Sequence, residues 1–122
     1  MPFDVSVPLA ALPEAAATFS VPFADDPTLF PLTYGHVGDQ NLHFVLGADR
    51  VLGEDERKAV QAHIYETVIG HGGAISAEHG IGLLKKIYLP RARSPVAIAL
   101  MKDLKRTLDP HNILSRGRIF DL

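Results

Sequence analysis

His36 and His43 stand either side of a segment built to reverse, Tyr34-Gly35-His36-Val37-Gly38-Asp39-Gln40-Asn41-Leu42-His43. A reversal centred between Asp39 and Gln40 sets Val37 opposite Leu42 and His36 opposite His43. Directly opposed residues of an antiparallel pair share a face, with Cβ atoms about 5 Å apart, so the two imidazoles can converge on one ion. Two polar residues at the end of a hairpin need no ligand, however, and two-histidine spacings arise by chance. A second segment, Ser76-Ala77-Glu78-His79-Gly80-Ile81-Gly82, places a carboxylate and an imidazole in a glycine-flanked turn. Two histidines and a glutamate form a three-ligand set with open positions, the layout of a catalytic metal. His79 would then remain as a general base. The segment also reads as a solvated polar turn whose glycines serve the backbone alone.

Other residues carry less chemistry. Lys85 and Lys86 follow the turn and can face an anionic substrate, although paired lysines are commonly a solvated surface. His63 falls within a helical stretch, His71 in its terminal glycine run and His111 after Asp-Pro, all natural places for surface, capping or turn residues. Gly70-His71-Gly72-Gly73 ends a helix and does not start one, so it lacks the positive dipole end that a phosphate loop uses.

The bulk properties exclude several classes. The chain has 122 residues, enough for one modest core. Its net charge of −2, with no basic stripe, argues against nucleic acid. The absence of cysteine removes disulfides and thiol nucleophiles. No apolar run approaches the roughly 20 residues that cross a membrane. The first residues, Met1-Pro2-Phe3-Asp4, lack the basic and apolar regions of a signal peptide, so a cytoplasmic location is expected.

The elements that must position these residues follow from periodicity. Phe3, Val5 and Val7 alternate with Asp4 and Ser6, predicting a half-buried strand. Leu12-Pro13-Glu14 opens a short helix to about Phe19, and the proline-rich stretch 20–31 is expected to be a loop. Strands are expected over 32–37 and 41–47, around a Gly38-Asp39-Gln40 turn. A helix is expected from Glu54 to about Gly70, with Val60, Ile64 and Val68 on one face. A short strand over 74–77 follows. Ser94-Pro95 then caps a last helix whose apolar face is Ala97, Leu100, Met101, Leu104 and Leu108, and Asp109-Pro110 stops it before an irregular tail. The order predicts an α+β fold: a ferredoxin-like βαββαβ antiparallel sheet with its helices on one face, plus a C-terminal helix. The opposite face then needs cover from elsewhere.

Four segments together carry a resemblance. Gly35 to His43 resembles the G-H-x-G-D-G-N-x-H signature of the FAD-linked oxidase C-terminal domain, and Ser76 to Gly82 resembles that family's S-G-E-H-G-x-G. Leu108 to Arg118 resembles its terminal L-D-P-x-x-I-L-N-P-G-K, and Asp4 to Leu9 resembles the D-V-x-V-P-x segment that opens the second half of the domain. The matches fall in family order over nearly the whole chain. The family includes D-2-hydroxyglutarate, D-lactate and glycolate dehydrogenases of the vanillyl-alcohol-oxidase type. The resemblance implies that His36, His43 and Glu78 bind a divalent metal, commonly zinc, which holds a hydroxy acid. It implies that His79 takes the hydroxyl proton as hydride passes to FAD. It also implies a substrate contact at Val45, where an asparagine is frequent, and a place near the flavin for Ser115. Departures from the pattern are Gln40 and Ala77 for glycines, Ser115-Arg116 for Asn-Pro, and Val45 itself.

Residues 1–122 are accordingly expected to form part of a C-terminal substrate and metal domain, with the flavin-binding domain absent from this chain. The expected function is a share in an FAD-dependent oxidoreductase converting a 2-hydroxy acid to a 2-oxo acid; the chain alone should be inactive and bind no FAD. The alternative is a non-catalytic metal-binding or self-associating remnant. Self-association of the isolated chain is expected in either case, because a sheet face and a sheet edge lack their usual cover.

Overall fold

The computed structural model describes residues 1–122. They divide into two units, Met1–His79 and Gly80–Leu122. The first contains β1 (Pro2–Ser6), α1 (Leu12–Ser20), β2 (Leu29–Tyr34), β3 (Asn41–Ala48) and α2 (Glu54–Gly70). Its sheet is antiparallel in the order β1-β3-β2. Pairing of Phe3 with Phe44 and of Val5 with Leu42 sets the apolar phases of β1 and β3 on one face. Phe44 is its centre, with ring centroids 6.0 Å from Phe3, 5.5 Å from Phe19 and 6.2 Å from Phe23. Tyr65 of α2 meets Phe3 edge-on at 5.6 Å. Both helices therefore cover the same face, as the element order requires.

α2 has the bounds that its signals predict. The Glu56 carboxylate accepts the Gly53 N–H at 2.7 Å, and Glu54, Asp55 and Glu56 complement the positive end of the helix dipole. Val60, Ile64 and Val68 are buried along one stripe, joined by Tyr65.

Two expectations about strands need correction. β2 runs Leu29–Tyr34 instead of 32–37, and the expected loop before it holds a helical turn, Val21–Phe23, and the start of the strand. Pro31 does not break β2, for a reason visible in the ladder. Leu46 gives its N–H toward β1, to the Met1 carbonyl at 3.0 Å. Pro31, opposite Leu46 on the other side, therefore sits in a non-hydrogen-bonded pair with its nitrogen facing away from the sheet. The same alternation turns the nitrogen of Pro2, opposite Val45, outward on the far edge.

The fourth strand, expected over 74–77, is reduced to one antiparallel bridge, Ser6 to Ala74, with bonds of 2.8 and 2.7 Å. The ladder stops there because the amides of Ala77, Glu78 and His79 turn to the side chain of Asp4. The sheet face away from the helices presents Phe30, Leu32 and Tyr34, all exposed, beside the half-buried His43 and Val45.

The second unit contains the one-turn α3 (Leu89–Ala92) and α4 (Pro95–Leu108). The Ser94 hydroxyl accepts the Ala97 N–H at 3.2 Å, the cap its sequence predicts. Along the apolar stripe of α4, Leu100, Leu104 and Leu108 are exposed. At its C-terminal end Asp109 takes hydrogen bonds from Lys105 and from the amides of Ile113 and Leu114, both at 3.0 Å. The Lys105 bond, aided by those amides and opposed by burial, holds the Asp109 carboxyl down at about 2. No helix is long and apolar enough to cross a membrane.

Candidate metal centre

The hairpin that carries the two histidines is built differently from the expected turn. Tyr34, not His36, pairs with His43. Between the strands, Val37–Asp39 forms a 3-10 turn, and the His36 carbonyl accepts from Asp39 N at 2.9 Å and from Asn41 N at 3.2 Å. The pairing is thus displaced by two residues from the predicted register. Because side chains alternate with a period of two, such a slip preserves the face while a slip of one would reverse it. His36 and His43 consequently still meet, with ring centroids 6.3 Å apart.

Gln40 closes this turn in the left-handed region at φ 61. A side chain there costs about 1–2 kcal/mol, against about 0.4–1 kcal/mol of unfolded-chain entropy that glycine would restore. Gln40→Gly is therefore expected to stabilise the protein by a few tenths to about 1 kcal/mol. Thermal denaturation reads this as a rise in Tm; an equal or lower Tm would contradict the strain assigned to Gln40.

Glu78 enters from the segment after Ala74. The candidate ligand atoms of His36, His43 and Glu78 all lie within 4.8 Å of one another, and His36 Nδ1 is 3.7 Å from Glu78 Oε1. Donors each about 2 Å from a common ion stand at most about 4 Å apart. Small rotations of His36 and Glu78 close that gap, since their side chains are 69% and 52% exposed. Two imidazole nitrogens and one carboxylate oxygen fit a divalent ion such as zinc and leave positions open. His79 lies beside this set, its ring 6.2 Å from that of His43, with a side chain 66% exposed.

Two buried polar residues lie behind these three side chains, and the sequence alone assigns neither a role. Asn41, 4% exposed, donates its side-chain N–H to Glu78 Oε1, while its Oδ1 is buried without a hydrogen bond. Asp4, 1% exposed, accepts at Oδ2 from Ser76 Oγ at 3.1 Å and from the amides of Ala77, Glu78 and His79 at 3.2, 2.9 and 2.8 Å. Alternation along β1 places Asp4 on the polar face; only the tertiary fold shows that the 76–79 segment closes over it.

The remaining predicted site residues are not among this set. Val45 is half-buried on the face of His43, two residues along β3. Lys85 and Ser115 belong to the second unit, Lys85 buried and Ser115 exposed at φ 46. Lys86 is engaged with the tail, donating to the Gly117 carbonyl at 2.8 Å and to Asp121 at 2.6 Å.

The chain is similar to known proteins over most of its length. Residues 1–119 match the family described as FAD linked oxidases, C-terminal domain. A D-2-hydroxyglutarate dehydrogenase of Xanthomonas citri pv. viticola is 41% identical over 123 residues, covering 97% of this chain and 26% of that protein. A D-2-hydroxyglutarate dehydrogenase of Stutzerimonas stutzeri is 41% identical over 71% of this chain and 20% of its own length. The glycolate oxidase subunit GlcD of Bacillus subtilis is 42% identical over 72% of this chain and 19% of its own. The chain thus spans about a quarter or less of the length of these curated relatives.

Proposed function

Because this chain belongs to the family of FAD linked oxidases, as their C-terminal domain, we propose that it is the substrate- and metal-holding part of an enzyme that oxidises a 2-hydroxy acid to the 2-oxo acid. The observation that carries this reading is the convergence of His36, His43 and Glu78 next to His79. A divalent ion held by these three side chains would supply a Lewis acid for the substrate hydroxyl and carboxylate. His79 accepts the hydroxyl proton on a ring nitrogen. FAD, implied by the family, would supply the hydride acceptor, held by a part of the enzyme outside these 122 residues. Tyr34, Leu32 and Phe30 extend from the cluster along the open sheet face, a surface where the remainder of the enzyme docks. In the isolated chain, a second copy takes that place.

The test is direct. The purified chain, dialysed against zinc and then against metal-free buffer, should retain one equivalent of metal by elemental analysis. Mixed with FAD and passed through gel filtration, it should emerge colourless and fail to oxidise hydroxy acids. Absence of metal would remove the ligand assignment, and retained flavin would remove the division of labour.

Val45 bears on substrate choice. It shares a face with His43 and offers an apolar wall where asparagine would offer a hydrogen bond. A buried hydrogen bond to substrate commonly contributes on the order of 1–3 kcal/mol. In an enzyme restored to the full length of its relatives, Val45→Asn should raise the preference for dicarboxylic over monocarboxylic hydroxy acids about tenfold. Equal relative rates in both proteins would exclude Val45 from the substrate's surroundings.

A further inference from the structure

We propose that Asp4 is the positioning residue of this site: its single buried carboxylate fixes the turn that delivers Glu78 and His79 and also orients the ring of His43. The metal-binding part of this proposal rests on the reading above; the geometric part does not.

Asp4 and His43 face each other across β1 and β3. With Met1 and Leu46 joined by hydrogen bonds, the ladder alternation makes Asp4 and His43 a non-hydrogen-bonded pair, the kind with the closer side chains. Asp4 Oδ1 lies 4.0 Å from His43 Nδ1, and Oδ2 lies 3.8 Å from His79 Nδ1. Both distances exceed a formed hydrogen bond but leave only a small ring rotation to complete one. An imidazole whose Nδ1–H is turned to a carboxylate presents the lone pair of Nε2 on its other side. One carboxylate would thereby select the same tautomer in a metal ligand and in a base, freeing Nε2 of His43 for an ion and Nε2 of His79 for a proton.

The backbone contacts explain why the acid must be aspartate. Amides of three consecutive residues, Ala77, Glu78 and His79, converge on Oδ2 with the Ser76 hydroxyl, and the Glu78 amide also reaches Oδ1 at 3.2 Å. Such a run of N–H groups forms a concave anion site, here filled by a side chain of the same protein. The contacts occur where the fourth strand stops, so they replace the strand pairing that would otherwise hold this segment. Asparagine has the same shape but would turn an NH₂ toward donors or toward the histidines.

NMR on the whole chain provides the test. At mildly alkaline pH, long-range nitrogen–proton spectra should show the Nδ1–H tautomer at His43 and His79. The Ala77, Glu78 and His79 amides should exchange slowly. In Asp4→Asn these three amides should lose protection and the tautomers should mix, while core amides such as those of Phe44 and Ile64 keep their protection. Cobalt titration should show affinity falling about 10- to 100-fold, the usual effect of losing a carboxylate behind a ligating histidine. If the parent takes up no cobalt, the metal reading fails, yet tautomers and amides still judge Asp4. If Asp4→Asn fails to fold, the tautomers of the parent decide alone. An Nε2–H tautomer at either histidine in the parent, or amide protection unchanged in a folded Asp4→Asn, would overturn the proposal.

Discussion

His43→Ala is expected to weaken metal uptake strongly while leaving the fold largely intact. His43 is the least exposed of the three proposed ligands, with a side chain 16% exposed, and it belongs to the central strand of the sheet. Removing it leaves His36 and Glu78, two exposed side chains whose ordering would have to be met by one fewer bond to the ion. A divalent ion held by three protein donors gains its affinity from their simultaneous presence, so loss of one should weaken binding by on the order of a hundredfold or more. His36→Ala and Glu78→Gln should behave alike. His111→Ala, an exposed residue of the second unit, should leave binding unchanged. Cobalt absorbance or calorimetry reads all four. An unchanged stoichiometry and affinity in any of the first three would remove that residue from the ligand set.

Phe44→Ala should have the largest effect on stability. The side chain is fully buried and touches rings from β1, from α1 and from the helical turn after it. Truncation of a buried phenylalanine costs about 3–5 kcal/mol through lost burial and the cavity left behind. Domains have only about 5–15 kcal/mol in total, so this variant should be largely unfolded or close to it. Urea denaturation measures the loss; a destabilisation below about 1 kcal/mol would mean that the core collapses around the gap far better than usual. Phe44→Leu, which retains most of the volume, should fold.

Legibility in the sequence follows the range of the signals. α2 and the capped start of α4 are readable because a helix declares itself locally, through stripe, cap and stop. β2 begins earlier than its sequence suggests because the prolines of residues 20–31 read as a loop, and a proline is harmless only at an edge whose existence is a tertiary fact. The expected hairpin register is off by two, yet the meeting of His36 with His43 survives, since parity decides the face. The leucine stripe of α4 is periodic but exposed, because periodicity shows that a helix has an apolar side and not what covers it. Alternation gives Asp4 a face but no role, since its contacts are made with residues more than seventy positions away.

The outward nitrogens of Pro2 and Pro31 also bear on what happens before the protein is finished. A half-folded copy with its aromatic core uncovered invites another to zip onto its flank. At both flanks, such a newcomer would meet a position with no hydrogen to offer, and the zipper would halt after a residue or two. Misdirected encounters between nascent chains should therefore be brief at the edges, and fibre growth by strand addition should be slow even where the open face is sticky.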